Sequence, residues 1–388
     1  MPMFTYSVPT SIVFGTGEAS HLARHIQVTT PASRWLVVSD PGIVKAGLLH
    51  PLLTSLQQAG FQTELFTQVL PNPRDTDCIT GAERYVEFDA EGVIGIGGGS
   101  AMDTAKTVAL LSQSRGTPRE FADGEVPYIE PAPIVCVPTT AGTGSEVTRS
   151  AVITEASTHR KLTLKHSWLR PKLAVLDALL TRTVPKPVTA ATGVDALVHA
   201  IEGYTCTQRS PITQAFGARA MRQLVPALPL VVENGDDLEA RTQMLEGSLL
   251  AGLCFGSSDV AAVHCLAEAL GGLYDTPHGV ANAIFLPEVL RFNAEADTPL
   301  HGEIARLMGF ANDADNDAEA VQKMLTGIHH LTRSLGIPTL RSLGYVKQDD
   351  FEKLVELAVK NTSTVSNVRP INAAEYRGIL ERVYAEKG

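Results

Sequence analysis

Short apolar or β-branched runs followed by turn residues fill the first half of the chain. "RWLVVSD" (34–40), "FQTELFTQV" (61–69), "GVIGIGGG" (92–99) and "PIVCVPTT" (133–140) read as strands. Helical stretches such as 100–113 lie between some of them, and a further strand-like run, "KLAVLD" (172–177), follows. That alternation predicts a mostly parallel sheet covered by helices. Past "VPKPVTAA" (184–191) the pattern changes to long helical periodicities with few strand-like runs. Leu325, Ile328, Leu331 and Leu335, for example, share one face inside 317–335. The pattern predicts an α/β domain over 1–188 and an all-helical domain over 189–388. A chain of 388 residues is in any case too long for one ordinary core.

Composition narrows the class without changing this picture. With 44% hydrophobic and 19% charged residues the values are ordinary for a globular protein. A formal net charge of −10 and no Lys/Arg cluster argue against a nucleic-acid partner. The opening "MPMFTYSVPTSIVFG" has no basic segment followed by an apolar run, so no signal peptide is expected. No uncharged apolar stretch reaches the roughly 18 residues of a bilayer span, so no membrane partner is expected. Cys78, Cys136, Cys206, Cys254 and Cys265 are scattered, odd in number and without a CxxC, which predicts reduced thiols in a cytoplasmic protein. The acidic stretch "NDADNDAE" (312–319) alternates Asp313, Asp315 and Asp317 as a calcium loop does. It lacks the glycine at the sixth position and the glutamate at the twelfth, and reads as a solvated loop leading into a helix.

Chemistry enters with "GVIGIGGGSAMDTAK" (92–106), a strand, three successive glycines and then a helix. Glycine lets the backbone approach a ligand closely and take positive φ. The helix N-terminus beyond it offers free N–H groups and a positive dipole end to a phosphate. Ser100 and Asp103 stand at capping-box spacing, with Asp for the usual Glu or Gln. No Walker sequence is present, and the dinucleotide fingerprint is imperfect: Gly95 and Gly97 fit, but Ser100 occupies the place of the third glycine. A tight turn that binds nothing fits the same residues. A second polar loop, "VPTTAGTGSEVT" (137–148), follows another strand and carries Thr139, Thr140, Thr143 and Ser145, whose hydroxyls suit phosphate or ribose oxygens. Ligands of open parallel sheets bind beyond the carboxyl ends of strands, so the two loops together point to one diphosphate-bearing cofactor. Asp40, which ends "RWLVVSD", suits a ribose 2′-hydroxyl and repels a 2′-phosphate, favouring NAD over NADP. A solvent-facing turn aspartate before Pro41 is the plain alternative.

In "ATGVDALVHAIEGY" (191–204), Asp195 and His199 are four apart in a helical pattern and therefore project from one face, one turn apart. A carboxylate and an imidazole so placed can hold one divalent ion. Such a pair alone says little, since His21 and His25 have the same spacing without company and read as a surface face. Asp195 and His199 have company in "VHCLAEALGGLYDTPHG" (263–279). His264 lies in a second helical stretch, and His278 in a loop that Pro277 and Gly279 fix. One Asp and three His form an N₃O set that suits Fe(II), Zn(II) and similar ions. Separate core or surface histidines fit the spacing equally well. Glu268, one turn after His264 on the same face, is a further ligand candidate.

Together these pieces resemble the iron-containing (group III) alcohol dehydrogenase family. The likeness runs nearly the whole chain, from "SIVFGTGEASHL" through "PNPRD", "GIGGGSAMDTAK", "PTTAGTGSEVTRSAVIT" and "ATGVDALVHAIEGYT" to "LYDTPHGVANAIFLPEVLRFN" and the tail "TSTVSNVRPINAAEYRGIL". It implies an α/β, Rossmann-like N-terminal domain and an all-α C-terminal domain, the dehydroquinate synthase-like fold. It implies hydride transfer between NAD and a small alcohol, aldehyde or ketone. It assigns a divalent metal, Fe²⁺ before Zn²⁺, to Asp195, His199, His264 and His278. It sets the NAD diphosphate against Gly98, Gly99 and Ser100, with Asp103 one turn on and Thr139, Thr140 and Thr143 nearby. Asp40 and Asn72 fall on the adenosine side, Lys161 near the ribose, and Phe255 in the substrate pocket. Family members are often dimers, so a homodimer is expected. Two positions depart from the family pattern. Glu268 stands where relatives commonly keep a second histidine, and Ser150 where many have a pocket asparagine. His278 and Glu268 are the candidate catalytic residues, with Glu268 open to three roles: relaying the substrate proton, orienting a ligand, or pairing with a cation. Two related activities stand as alternatives. Reduction of an anionic oxo-acid such as maleylacetate is hinted at by "VRPINA" and opposed by the complete ligand set. A lyase like dehydroquinate synthase needs a basic cluster for a phosphorylated substrate, which the sequence does not show.

Overall fold

The strand-like runs assemble largely as the pattern predicts. The computed structural model describes residues 3–386, and its strands are β1 (Ser11–Phe14), β2 (Arg34–Val38), β3 (Gln62–Phe66), β4 (Gly92–Gly97), β5 (Ile134–Pro138), β6 (Ser150–Thr154), β7 (Lys161–Lys165) and β8 (Leu173–Leu176). Six of them form a parallel sheet in the order β1-β8-β5-β4-β2-β3, and β6 and β7 form a separate antiparallel pair. β1, β6 and β7 lie outside the runs that the pattern singled out. β1 is a short, largely exposed edge strand, and β6 and β7 alternate buried with half-buried positions, so none carries the continuous apolar signal of a central parallel strand.

Helices in this part of the chain are α1 (Leu22–Thr29), α2 (Pro41–Lys45), α3 (Leu49–Gln58), α4 (Asp75–Glu87), α5 (Gly99–Leu111) and α6 (Pro118–Ala122). Alternation along each strand sorts side chains to the two faces of the sheet. Trp35, Val37, Ile94, Ile96, Val135 and Val137 pack with Leu22 and Ile26 of α1 and Leu52 and Leu56 of α3. Leu36, Val38, Val93, Ile134 and Cys136 pack on the other side with Tyr85 of α4 and Met102, Ala105 and Val108 of α5. Helices on both faces account for strands that are apolar at every position. The chain passes from β2 outward to β3 and then returns to β4 on the opposite side of β2, so the strand order reverses between β2 and β4. In open parallel sheets that reversal, at the carboxyl ends, is where ligands bind.

The remaining helices are α7 (Lys186–Thr205), α8 (Pro211–Glu233), α9 (Leu238–Phe255), α10 (Ala262–Tyr274), α11 (His278–Ala294), α12 (Thr298–Leu307), α13 (Asp317–Ser334), α14 (Phe351–Lys360) and α15 (Ala373–Ala385). The chain divides into two compact units, Ser7–Val184 and the part from Pro185 onward together with the short stretch ending at Tyr6. Pro185 is the N-cap of α7, so the helical unit begins where its first helix does. The Tyr6 ring stacks on Phe216 of α8, with centroids 5.9 Å apart, which ties that stretch to the helices. α7 is buried on all sides from Gly193 to Thr205. A helix buried all round must pair every polar side chain it carries. α13 starts at a capping box of Asn316 and Glu319, with Asp315 paired to Lys323, so the acidic stretch is a solvated helix entry. Its apolar face, Leu325, Ile328 and Leu331, is buried. His21 is exposed, and His25 is held by Glu18 at 2.8 Å. The five cysteines are free and buried. Among the described residues no helix is long and apolar enough to cross a membrane.

Candidate metal centre and cofactor turn

In the helical unit, α7 carries Asp195 and His199 one turn apart, α10 carries His264, and α11 opens with His278. The expected loop at His278 is therefore corrected: Pro277 is an N-cap and His278 is the first helical residue. Pro and Gly flank helix starts as readily as they fix loops, which is why the sequence misled here. One ligand-type atom from each of Asp195, His199, His264 and His278 lies within 4.8 Å of the other three. Asp195 Oδ1 is 3.5 Å from His278 Nε2 and 3.8 Å from His264 Nε2. The Nε2 atoms of His264 and His199 are 2.9 Å apart. Side-chain exposure is 2% for Asp195, 3% for His264 and 5% for His199, but 34% for His278. Protein thus encloses three of the donors, and the cluster opens to solvent on the His278 side. An open side is the mark of a catalytic rather than a structural ion site.

Two residues that the ligand spacing did not flag hold this cluster. Glu202, one turn beyond His199 on α7, lies 2.6 Å from His264 Nδ1 and accepts hydrogen bonds from the N–H groups of Ala261 (2.8 Å) and Val263 (2.7 Å). Burial, the largest single influence, pushes the His264 imidazole down, but the carboxylates of Glu202, Asp195 and Glu268 together push it up by more, so the ring is raised above the ordinary histidine value. Asn282, one turn after His278, donates from Nδ2 to Asp195 Oδ1 at 2.6 Å and faces His278 Nε2 at 3.1 Å. Both were visible in the sequence as helical neighbours of ligand candidates, but only as one polar residue among many. The Phe255 ring stacks on His199, with centroids 4.0 Å apart. Glu268 does not join the converging donors, although spacing made it a ligand candidate. It is 9% exposed and accepts from Asn361 Nδ2 at 2.7 Å.

The cofactor candidates lie in the other unit. Asp40, the Gly97–Ser100 turn and Thr139 follow the neighbouring strands β2, β4 and β5 at their carboxyl ends. Close approaches explain the glycines. A Cβ at Gly95 would stand 3.0 Å from Ala105 Cβ, so Gly95 seats α5 on β4, the role that the fingerprint gives its third glycine. A Cβ at Gly99 would stand 2.7 Å from Thr143 Cγ2, and at Gly98 3.4 Å from Thr140 Oγ1, so the two polar loops touch. Thr139 is buried and its N–H donates to Gly97 O at 3.0 Å, but its Oγ1 has no hydrogen-bond partner among the described residues. Lys161 Nζ donates to Asn72 Oδ1 at 2.9 Å, which brings those two candidates together.

One expectation changes in this unit. The capping box of Ser100 and Asp103 does not form, because Gly98 is the N-cap of α5 and no side chain caps it. Asp103 instead accepts from Ser145 Oγ at 2.6 Å and Val152 N–H at 2.9 Å. Both its oxygens accept from the protein, so it braces the polar loop and β6. Lys106, one turn on and fully buried, donates to the carbonyls of Thr148 (3.2 Å) and Ser150 (2.8 Å) and braces the same segment. Burial raises Asp103 and lowers Lys106, and each charge opposes the shift of the other. Ser150, half-buried at the start of β6, is held through that carbonyl. Asp40 is the N-cap of α2, its Oδ1 accepting from the N–H groups of Gly42 (2.8 Å) and Ile43 (3.1 Å).

Comparison with known proteins agrees over both units. Residues 9–178 match the family described as iron-containing alcohol dehydrogenase, and residues 189–384 match the C-terminal part of the Fe-containing alcohol dehydrogenase family. The chain is 37% identical over 386 residues to the 1,3-propanediol dehydrogenase of Citrobacter freundii, covering 98% of this chain and 99% of that one. It is 31% identical to the NAD-dependent methanol dehydrogenase of Bacillus methanolicus, covering 98% and 99%. The crystal structure of a 1,3-propanediol oxidoreductase superposes with a TM-score of 0.94 at 36% identity, covering 98% of this chain and 100% of that one. The chain therefore belongs to the iron-containing alcohol dehydrogenase family and is an oxidoreductase.

Proposed function

We propose that the protein interconverts a small alcohol and its aldehyde or ketone, using NAD and a divalent metal, Fe²⁺ before Zn²⁺, held by Asp195, His199, His264 and His278. The observation that carries this reading is the convergence of one carboxylate and three imidazoles within 4.8 Å, enclosed except at His278. That donor set fits either ion. The propanediol and methanol relatives favour a short alcohol. When bound, the ion supplies Lewis acidity that eases alcohol deprotonation near neutral pH, and NAD supplies the hydride acceptor.

The side chains of this protein do the positioning. Asn282 and Glu202 hold Asp195 and His264, so the donors are arranged in advance. The Phe255 ring covers His199 and gives the substrate an apolar wall. Gly98, Gly99 and Ser100 are the proposed seat of the NAD diphosphate, where the first turn of α5 offers free N–H groups. The buried Thr139 Oγ1, without a partner among the described residues, suits a cofactor oxygen, with Thr140 against Gly98 and Thr143 against Gly99. Lys161 fits the ribose, and Asp40 and Asn72 the adenosine side.

The test begins with elemental analysis of protein purified without air. NAD⁺, Fe²⁺ or Zn²⁺ and a panel of short alcohols are then added while NADH absorbance is followed. NADH forms with at least one alcohol, stops on chelation and resumes when metal is restored. Full activity after complete metal removal would overturn the reading.

We assign the substrate proton to Glu268, one turn from His264. Glu268→Gln keeps its metal content, lowers kcat on the order of 10²-fold and flattens the acid limb of the pH–rate profile. An unchanged profile leaves Glu268 a structural role, such as its bond to Asn361.

A further inference from the structure

α10 begins without a cap of its own. Its N-cap residue is Ala261, which has no side-chain acceptor, and the helix start is buried. Buried N–H groups at a helix start need acceptors from elsewhere. Glu202 provides them from α7. It is 2% exposed, and both oxygens are engaged. Oε1 accepts from Val263 N–H at 2.7 Å, while Oε2 accepts from Ala261 N–H at 2.8 Å and lies 2.6 Å from His264 Nδ1. An ionised carboxylate only accepts. The 2.6 Å contact therefore sets a proton on Nδ1, and in the neutral ring it leaves Nε2 with a bare lone pair. Nε2 is the atom 2.9 Å from His199 Nε2 and 3.8 Å from Asp195 Oδ1.

From this geometry we propose that Glu202 is a positioning residue of the metal centre. It fixes the His264 tautomer so that Nε2 presents its lone pair to the other donors. It also pins the start of α10 to the helix that carries Asp195 and His199. The inference rests on the reading of those four residues as metal ligands.

Glutamine at this position has nearly the same shape but one oxygen and one NH₂. If its oxygen keeps Ala261 and His264, its NH₂ meets Val263 N–H, donor against donor. If its NH₂ turns to His264, that ring must accept at Nδ1 and carry its proton on Nε2, where it blocks an ion. Either arrangement weakens the site, and residues that orient a ligand typically account for about 10–100-fold in metal affinity.

The experiment titrates Zn²⁺ alone, by calorimetry, into metal-stripped wild type, Glu202→Gln and His278→Ala. Wild type takes one Zn²⁺ per chain, and Glu202→Gln takes it about 10–100-fold more weakly. If Glu202→Gln loses thermal stability but binds Zn²⁺ as wild type does, Glu202 is only a helix cap and the proposal is overturned. If His278→Ala binds as tightly as wild type, the ligand reading itself has failed, which separates the two. Nitrogen-15 imidazole shifts of metal-free wild type at pH 8 read the tautomer without any variant. A proton on His264 Nδ1 is expected, and a neutral ring with its proton on Nε2 overturns the proposal even if the glutamine variant does not fold.

Discussion

Replacing His278 with alanine sharply weakens metal binding and turnover while NADH binding survives. His278 is the exposed member of the cluster at 34%, whereas Asp195, His199 and His264 are buried at 5% or less. Truncating it opens no large cavity, so the change in stability stays small, within about 1 kcal/mol. The remaining three donors hold an ion more weakly by more than the ~10–100-fold typical of residues that only orient a ligand. Turnover falls by at least about 10²-fold, the usual loss when one electrostatic stabiliser is removed. The cofactor candidates belong to the separate unit Ser7–Val184 and are untouched. Elemental analysis, NADH fluorescence and steady-state rates check the three parts. A variant that keeps one ion per chain and full activity contradicts the ligand assignment.

Gly279→Ala is expected to damage the same centre without touching a ligand. A Cβ at Gly279 would fall 2.4 Å from Ala191 O and 2.7 Å from Ala191 C, in the backbone of α7. No flexible side-chain end is there to yield, so the first turn of α11 must move off α7. His278 precedes Gly279, and Asp195 lies one turn beyond Ala191, so the displacement opens the 3.5 Å separation of His278 and Asp195. It also strains the 2.6 Å bond from Asn282 to Asp195. Overpacking of this kind costs about 1–3 kcal/mol, and metal affinity falls with it. Helix propensity alone predicts the opposite sign, a gain of about 0.5–1 kcal/mol for alanine over glycine. Thermal denaturation together with a Zn²⁺ titration decides: a stabilised variant with wild-type affinity refutes the close-packing argument.

Much of this protein was legible from local pattern. Runs such as "GVIGIGGG" gave central strands because parallel strands covered on both faces are apolar at every position. β1 and the β6–β7 pair escaped because partly exposed strands carry no such run. Spacing placed Asp195 and His199 on one face because the helical repeat fixes which side chains are neighbours. It misjudged Asp103, whose partners Ser145 and Val152 come from a loop and a strand far along the chain.

By itself the sequence determined the alternating α/β half, the helical half, the glycine-rich strand-to-helix turn and the pairing of Asp195 with His199. Residue type made His264 and His278 candidates beside that pair, and family resemblance assigned the metal to all four. Only the tertiary structure decided how they meet, that Glu202 and Asn282 hold them, and that Gly279 lets α11 rest against α7. The reason is physical. Periodicity encodes which residues share a face, but the meeting of two faces depends on backbone approach. That approach is permitted by a missing side chain, and a missing side chain carries no periodic signal.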